Sequence, residues 1–81
     1  MIKMPSKKIK LNALGVGVRA KIVDNLAQGA VLRRLLELGF VAGASVEIIA
    51  IAPRGRTFVV DMMGDYIALS REVCEQILIE K

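Results

Sequence analysis

Hydrophobic and polar positions alternate along residues 18–22, and this period of two predicts a half-buried strand. In this stretch Val18, Ala20 and Ile22 alternate with Arg19 and Lys21. Other stretches are rich in isoleucine and valine and are separated by glycine and proline turns, which also favours strands. The predicted strands are residues 18–22, 45–52, 57–63, 66–69 and 77–79.

Residues 30–38 have the helical period instead. At roughly 100° per residue, Leu32, Leu35 and Leu36 share one face, which we expect to lie in the core. Gly39 is suited to end the helix in a left-handed conformation. The polar residues of the opposite face are Arg33, Arg34 and Glu37.

These elements amount to about five short strands, one helix and a helical turn. Ser70 is suited to cap that turn, which precedes the last strand. Short, closely spaced strands in a chain of 81 residues predict a mainly β fold, a small partly open barrel. We divide the chain into a lysine-containing N-terminal extension, residues 1–10, and one barrel domain, residues 11–81.

The net charge of +4 comes from the N-terminal extension. Lys3, Lys7, Lys8 and Lys10 carry the whole excess, and residues 11–81 contain eight basic and eight acidic residues. A lysine arm can bind phosphates, but a base-stacking platform needs aromatic side chains, and the chain has only two phenylalanines and one tyrosine. The charge pattern therefore favours a solvated arm over nucleic-acid binding.

The apolar content is high for a small protein. Hydrophobic residues make up 54% of the chain and the mean hydropathy is +0.51, so we expect some apolar surface to remain for a partner or for self-association. The longest apolar run, residues 46–52, contains Glu47 and is too short to span a membrane. The single cysteine, Cys74, excludes an internal disulfide and fits a reducing cytoplasm.

The residues offer little for catalysis or metal binding. There is no histidine, and Glu72 and Glu75 should disfavour the thiolate of Cys74. Met62 and Met63 are neighbours on a strand and point to opposite faces, so they do not converge on an ion. We expect no enzyme, no cofactor and no dedicated metal site.

Four motifs follow one another along the chain in order and at suitable spacing. They are Leu11-x-x-Leu14-x-x-Gly17-x-x-Ala20-x-Ile22, the block RLLELGFVxGxxVE at residues 34–47, Ala52-Pro53-x-Gly55 and Gly64-x-x-Ile67-Ala68-Leu69. Together they resemble the FeoA family over about residues 11–80, and the block at residues 34–47 is the most specific of them. The chain differs from the family in having Ala42 where proline is frequent, Arg56-Thr57 in place of Asp-Pro, and Ser70 in place of arginine.

The resemblance implies an SH3-like barrel in the bacterial cytoplasm, acting as an accessory or regulatory protein of ferrous iron uptake. The implied partner is FeoB, a membrane transporter with a GTP-binding domain, which would recruit the protein to the inner face of the membrane. Two alternatives stay open from the residues themselves. One is an SH3-like or Sm-like barrel that binds nucleic acid, and the other is a self-assembling barrel that forms homo-oligomers.

Two groups of residues are candidates for partner binding. Arg33, Arg34 and Glu37 form the polar helix face, and the neighbouring Phe40 would be an apolar anchor if it were exposed. Arg54 and Arg56 flank a glycine at a hairpin tip, where they can meet an anionic surface.

Overall fold

Six strands and two α-helices form in the computed structural model, which describes residues 8–81; residues 1–7, most of the predicted extension, lie outside the described residues. Two short 3-10 turns, Leu11–Ala13 and Pro53–Gly55, complete the order of elements. The strands are β1 (Lys8–Lys10), β2 (Arg19–Asn25), β3 (Ser45–Ile51), β4 (Thr57–Met62), β5 (Asp65–Ser70) and β6 (Ile77–Glu80). The helices are α1 (Gly29–Glu37) and α2 (Arg71–Cys74).

The mainly β fold and the five predicted strands are confirmed, with bounds that agree to within one residue apart from two larger differences. The first difference is at β2, which continues to Asn25 because this residue pairs with Ile77. The second is the additional strand β1, which forms because Ile9 pairs with Ile79 in β6. A three-residue strand with lysine at both ends carries too little alternation to be seen in the sequence.

The strands form one antiparallel sheet in the order β1-β6-β2-β3-β4-β5. The register shifts between Ile22 and Asp24 in β2 and between Ile48 and Ala50 in β3. Such bulges bend a strand and increase its twist, so they curve the sheet around its inner face. The two edges, β1 and β5, are not paired with each other, which confirms that the barrel is partly open.

The core lies on the inner face of the curved sheet. Alternate residues of β4, namely Phe58, Val60 and Met62, are buried, as the period of two predicts. Apolar residues before β2 and on both helices close the core from the side. The residues with no solvent exposure are Leu11, Phe40, Val46, Ile48, Val60, Cys74, Ile77 and Ile79.

The end of α1 is fixed by hydrogen bonds that point the following residue into the core. Gly39 has φ of 101° and donates to the carbonyl of Leu36 at 3.1 Å, and Phe40 donates to the carbonyl of Leu35 at 2.9 Å. This pair of bonds is the Schellman motif, which confirms the predicted role of Gly39. The motif turns Phe40 into the core, where its side chain is fully buried.

The second helix has the predicted cap. The Ser70 Oγ accepts a hydrogen bond from the backbone N–H of Val73 at 3.2 Å, and Glu72 lies in the first turn. This cap satisfies one of the donors that every helix start leaves free. The short α2 therefore turns the chain from edge strand β5 back to β6, in the interior of the sheet.

Candidate functional site

The outer face of α1 is exposed and mixes charge with apolar area. Arg33, Arg34 and Glu37 are exposed, as the helical period predicts. The expectation that Leu36 lies in the core is wrong, because its side chain is 46% exposed. The buried face of α1 is centred on Leu35, and Leu36 follows it by roughly 100° around the helix. We refer to Arg33, Arg34, Leu36 and Glu37 as the α1 surface.

Phe40 corrects the list of candidate contact residues. It was predicted as a partner-binding anchor on the condition of exposure, and its side chain has no exposed area. The Schellman motif turns it inward, so a partner does not touch it in the folded protein. Phe40 therefore belongs to the core, and Leu36 is an exposed apolar side chain next to the arginines.

The cationic hairpin tip between β3 and β4 is exposed and has an unusual backbone. Arg54 has φ of 76° and Gly55 has φ of 65°, so an arginine occupies a conformation that favours glycine. The backbone N–H of Arg71 donates to the carbonyl of Arg56 at 2.9 Å and ties the tip to the start of α2. The Arg71 side chain also lies against the tip, since its Nη1 atom is 3.5 Å from the point that a Cβ on Gly55 would occupy.

A groove of about 640 Å³ lies between α1, β5 and α2. Its side-chain lining is apolar except for Arg34 and the hydroxyl of Tyr66. Tyr66 as a whole residue is 68% exposed. The tip arginines Arg54 and Arg56 do not line it. The lining residues are Ala30, Val31, Arg34, Leu35 and Leu38 of α1, Tyr66, Ile67, Ala68 and Leu69 of β5, and Val73 of α2.

The sequence predicts Arg34 as a contact residue but does not reveal the groove that it lines. The residues from β5 are predicted only as a short strand, and the groove lies between segments about thirty residues apart in the chain. One signal was present, since Tyr66 is the one tyrosine of the chain and follows a tight turn. A second groove of about 580 Å³ lies between the start of β3 and the end of β6 and contains none of the predicted contact residues.

The arginines of the α1 surface and the hairpin tip form no ion pair within residues 8–81. The ion pairs in this part of the chain join Arg19 to Glu47 at 3.1 Å, Arg19 to Asp61 at 3.6 Å and Arg71 to Glu75 at 3.7 Å. The four arginines of the α1 surface and the hairpin tip take part in none of them. They can therefore pair with acidic groups on a partner without breaking an internal ion pair.

Cys74 is buried, and its chemistry follows from that position. Burial in the core, and secondly the charge of Glu75, raises the pKa of the Cys74 thiol from 9.0 to about 12. The sequence predicted a disfavoured thiolate from the neighbouring carboxylates, whereas the larger cause is desolvation. Cys74 is thus a neutral apolar core residue at neutral pH.

Residues 8–81 hold no group of three or more histidine, cysteine, aspartate or glutamate side chains arranged to bind a metal ion. Met62 is 3% exposed and Met63 is 77% exposed, so the two thioethers point in opposite directions. Within the same residues no helix is long and apolar enough to cross a membrane. The features of the described surface are thus the α1 surface, the cationic tip and the apolar grooves.

Comparison with known proteins gives consistent relatives. The family model described as FeoA domain matches residues 9–81. The FeoA protein from Chlorobium tepidum is 35% identical, with a TM-score of 0.84, and the match covers 89% of this chain and 69% of that one. Iron(II) transport protein A from Clostridium thermocellum is 32% identical, with a TM-score of 0.85, over 89% of this chain and 44% of that one.

A third solved structure adds a description of the fold. FeoA from Stenotrophomonas maltophilia, solved in complex with zinc, is 28% identical, with a TM-score of 0.78, over 88% of each chain. It is described as a prokaryotic SH3 domain protein and as a candidate activating factor of bacterial ferrous iron transport. A search of curated proteins found no match.

Proposed function

Because the chain belongs to the FeoA domain family, we propose that it is an accessory protein of bacterial ferrous iron uptake that acts by binding the FeoB transporter GTPase. The observation that carries this proposal is the family match over residues 9–81, which includes the whole of α1, the hairpin tip and the groove. Binding would hold the protein at the cytoplasmic face of the membrane. Its effect on the transporter would come from contact between proteins.

The α1 surface supports a role in protein binding. Leu36 is 46% exposed and has Arg33 and Glu37 as helix neighbours. An apolar side chain surrounded by charged ones is the usual arrangement of an interface anchor, because the anchor is desolvated on binding while its charged rim stays in water.

The hairpin tip supplies a second contact of different chemistry. Arg54 and Arg56 are exposed and take part in no ion pair among residues 8–81, and the Arg71 side chain lies against Gly55 between them. Concentrated positive charge attracts an acidic partner surface over several ångströms and speeds the encounter more than it tightens the final complex. We therefore expect the tip to set the association rate and the α1 surface to set the lifetime of the complex.

Nucleic-acid binding is not favoured by the positions of the aromatic residues. Phe40 and Phe58 are 0% and 3% exposed, which leaves Tyr66 as the one aromatic ring on the surface. Single-stranded nucleic acid is held by several rings on which successive bases stack. The lysines at residues 3 and 7, which motivated this alternative, lie outside the described residues.

Binding to detergent-solubilised, full-length FeoB from the same organism tests the proposal. Affinity would be measured with and without guanine nucleotide for the wild-type protein and for Arg33→Glu and Leu36→Ala. We expect saturable wild-type binding that survives moderate salt, and a loss of about tenfold in each variant.

The matched control is Lys10→Glu, which makes the same charge reversal on β1, away from both candidate surfaces. We expect this variant to bind like the wild type. Equal binding by all three variants would exclude the α1 surface as the contact. Absence of wild-type binding in every nucleotide state would overturn the proposed function.

A further inference from the structure

The two edges of the sheet differ in how well they are protected against a further strand. β1 has three residues, two of them lysine, and charged short edge strands resist pairing with another chain. β5 has six residues, and its single charged residue is Asp65 at one end. All six residues of β5 pair with β4 on one side, so alternate backbone N–H and C=O groups point away from the sheet on the other.

The groove follows this free edge. Four consecutive residues of β5, Tyr66 to Leu69, line it. Successive side chains of a strand point to opposite faces, so a groove over one face would touch only every second residue. Contact with all four means that the groove runs along the edge itself, where the unpaired backbone groups lie.

The opposite wall of the groove is apolar and lies on α1. Val31, which is 43% exposed, and the inner residues Leu35 and Leu38 form this wall. Val73 of α2 also contributes to the lining. An extended chain placed here would hydrogen-bond to β5 and bury alternate side chains against α1.

The groove has one charged lining residue, Arg34. Its guanidinium is exposed and takes part in no ion pair among residues 8–81. A planar guanidinium is well suited to bind a carboxylate with two hydrogen bonds. The charge of the groove therefore favours a segment that carries an acidic residue among apolar ones.

From these observations we propose that the β5 edge accepts an extended segment of the partner protein as a seventh strand, apolar at alternate positions and with a carboxylate that binds Arg34. This proposal deepens the proposed function and rests on it for the identity of the partner as FeoB. The segment would come from the cytoplasmic part of the transporter. Binding through the backbone gives affinity, and the apolar wall and Arg34 give selectivity.

A pair of lysine substitutions separates strand addition from docking on the sheet surface. Ala68 of β5 is paired with Val59 of β4, and Val59 is paired with Ala50 of β3. Ala68 and Ala50 are both exposed and lie in one row across the sheet, but only Ala68 is at the edge. Ala50→Lys is therefore a matched control for Ala68→Lys, with the same change of charge and size.

The first measurement is the affinity of these variants for full-length FeoB. We expect Ala68→Lys to lose about tenfold or more, because a lysine at the edge obstructs the incoming strand, and Ala50→Lys to bind like the wild type. Arg34→Glu is expected to lose a comparable amount. Unchanged thermal unfolding of each variant would show that the fold is retained.

The second measurement is backbone amide hydrogen exchange in the free and FeoB-bound protein. A seventh strand would slow exchange at alternate amides of β5, because those N–H groups gain partners. Tight FeoB binding combined with unprotected β5 amides and equal affinities of Ala68→Lys and Ala50→Lys would overturn strand addition and leave the proposed function standing.

Three other results also overturn the inference. Equal losses in Ala50→Lys and Ala68→Lys would show docking on the face of the sheet. A dimer of the protein alone that Ala68→Lys dissociates would show that the occupant of the edge is a second copy of the chain. Absence of any wild-type binding to FeoB would overturn the proposed function, and the inference with it.

Discussion

At the scale of single residues, Leu36 and Phe40 differ in burial although both are apolar and lie close together near the end of α1. The helical period predicts Leu36 in the core, and Phe40 is a candidate anchor only if it is exposed. Phe40 is fully buried because the hydrogen bonds after Gly39 turn it inward. Leu36 is exposed because the helix rests on Leu35. Helical periodicity predicts which third of the helix surface, roughly, faces the core. Which residues within that third are fully buried depends on the elements that pack against the helix.

Phe40→Ala is expected to be severely destabilising. Removal of a fully buried phenylalanine side chain costs about 3–5 kcal/mol, which is a large part of the stability of a small domain. The free energy of unfolding in urea would measure the loss. Val41→Ala, at a neighbouring side chain that is 46% exposed, should change it by no more than about 0.5 kcal/mol. Similar losses in the two variants would contradict the burial of Phe40.

The buried thiol of Cys74 makes stability depend on pH in the alkaline range. Its pKa is 9.0 in an unperturbed chain and about 12 in the fold, so between these values the unfolded chain has lost the proton and the folded protein keeps it. Unfolding is then favoured by rising pH. The stability contributed by the neutral thiol is fully present below about pH 9 and is lost as pH rises toward 12.

We expect the stability of the wild type relative to Cys74→Ala to fall by up to about 1.4 kcal/mol per pH unit in this window. Urea unfolding of both proteins at about pH 8 and about pH 10 would measure it, and the difference between them cancels the contributions of the ionisable groups common to both. A difference that does not change with pH would contradict the raised thiol pKa.

At the scale of elements, three strands are joined across their outer face by one arginine. Arg19 of β2 is paired with Glu47 of β3, which in turn is paired with Asp61 of β4. The Arg19 guanidinium binds both carboxylates, at 3.1 and 3.6 Å, and its Nη1 donates to the Ser45 hydroxyl at 3.2 Å. Without it, two like charges would face each other across β3 and β4, which is unfavourable.

A double-mutant cycle of Arg19→Met and Glu47→Gln would measure this contact. Since the Arg19 side chain is 53% exposed, solvent screens the pair and we expect a coupling of only about 0.5–1 kcal/mol. The four unfolding free energies should give a smaller coupling at high salt. Additive effects at low salt would show that the ion pair contributes nothing.

At the scale of the whole molecule, the last strand of the chain lies inside the sheet. β6 pairs with β1 on one side and with β2 on the other, and Ile77 and Ile79 are fully buried. The sheet is therefore incomplete until β6 has been added. Folding depends on contacts of β6 with β1 and β2, which are far from it in the sequence and therefore slow to form compared with local contacts.

Deletion of residues 77–81 is expected to leave an unfolded chain, since it exposes the core and leaves β1 and β2 without their common neighbour. Circular dichroism and the dispersion of amide proton resonances would measure the loss. Deletion of the exposed Lys81 alone is the control and should retain the fold. A folded protein without β6 would contradict the interior position of this strand.

Local patterns in the sequence determined which segments are strands or helices. The period of two at residues 18–22, and runs of isoleucine and valine between turns elsewhere, marked five strands. The leucines marked α1, and Gly39 and Ser70 marked a helix end and a helix start. These signals are readable because each depends on residues only a few positions apart. The ordered motifs were also sufficient to indicate the family.

Only the tertiary structure decided which strands are neighbours and which are edges. The interior position of β6, the free edge of β5 and the groove that brings Arg34 beside Tyr66 all join segments far apart in the chain. Pairing of distant strands depends on the register and on which faces meet in the core, and neither leaves a periodic mark in one sequence. For this reason the arginines could be predicted as contact residues from the sequence, whereas the groove became visible only in the folded structure.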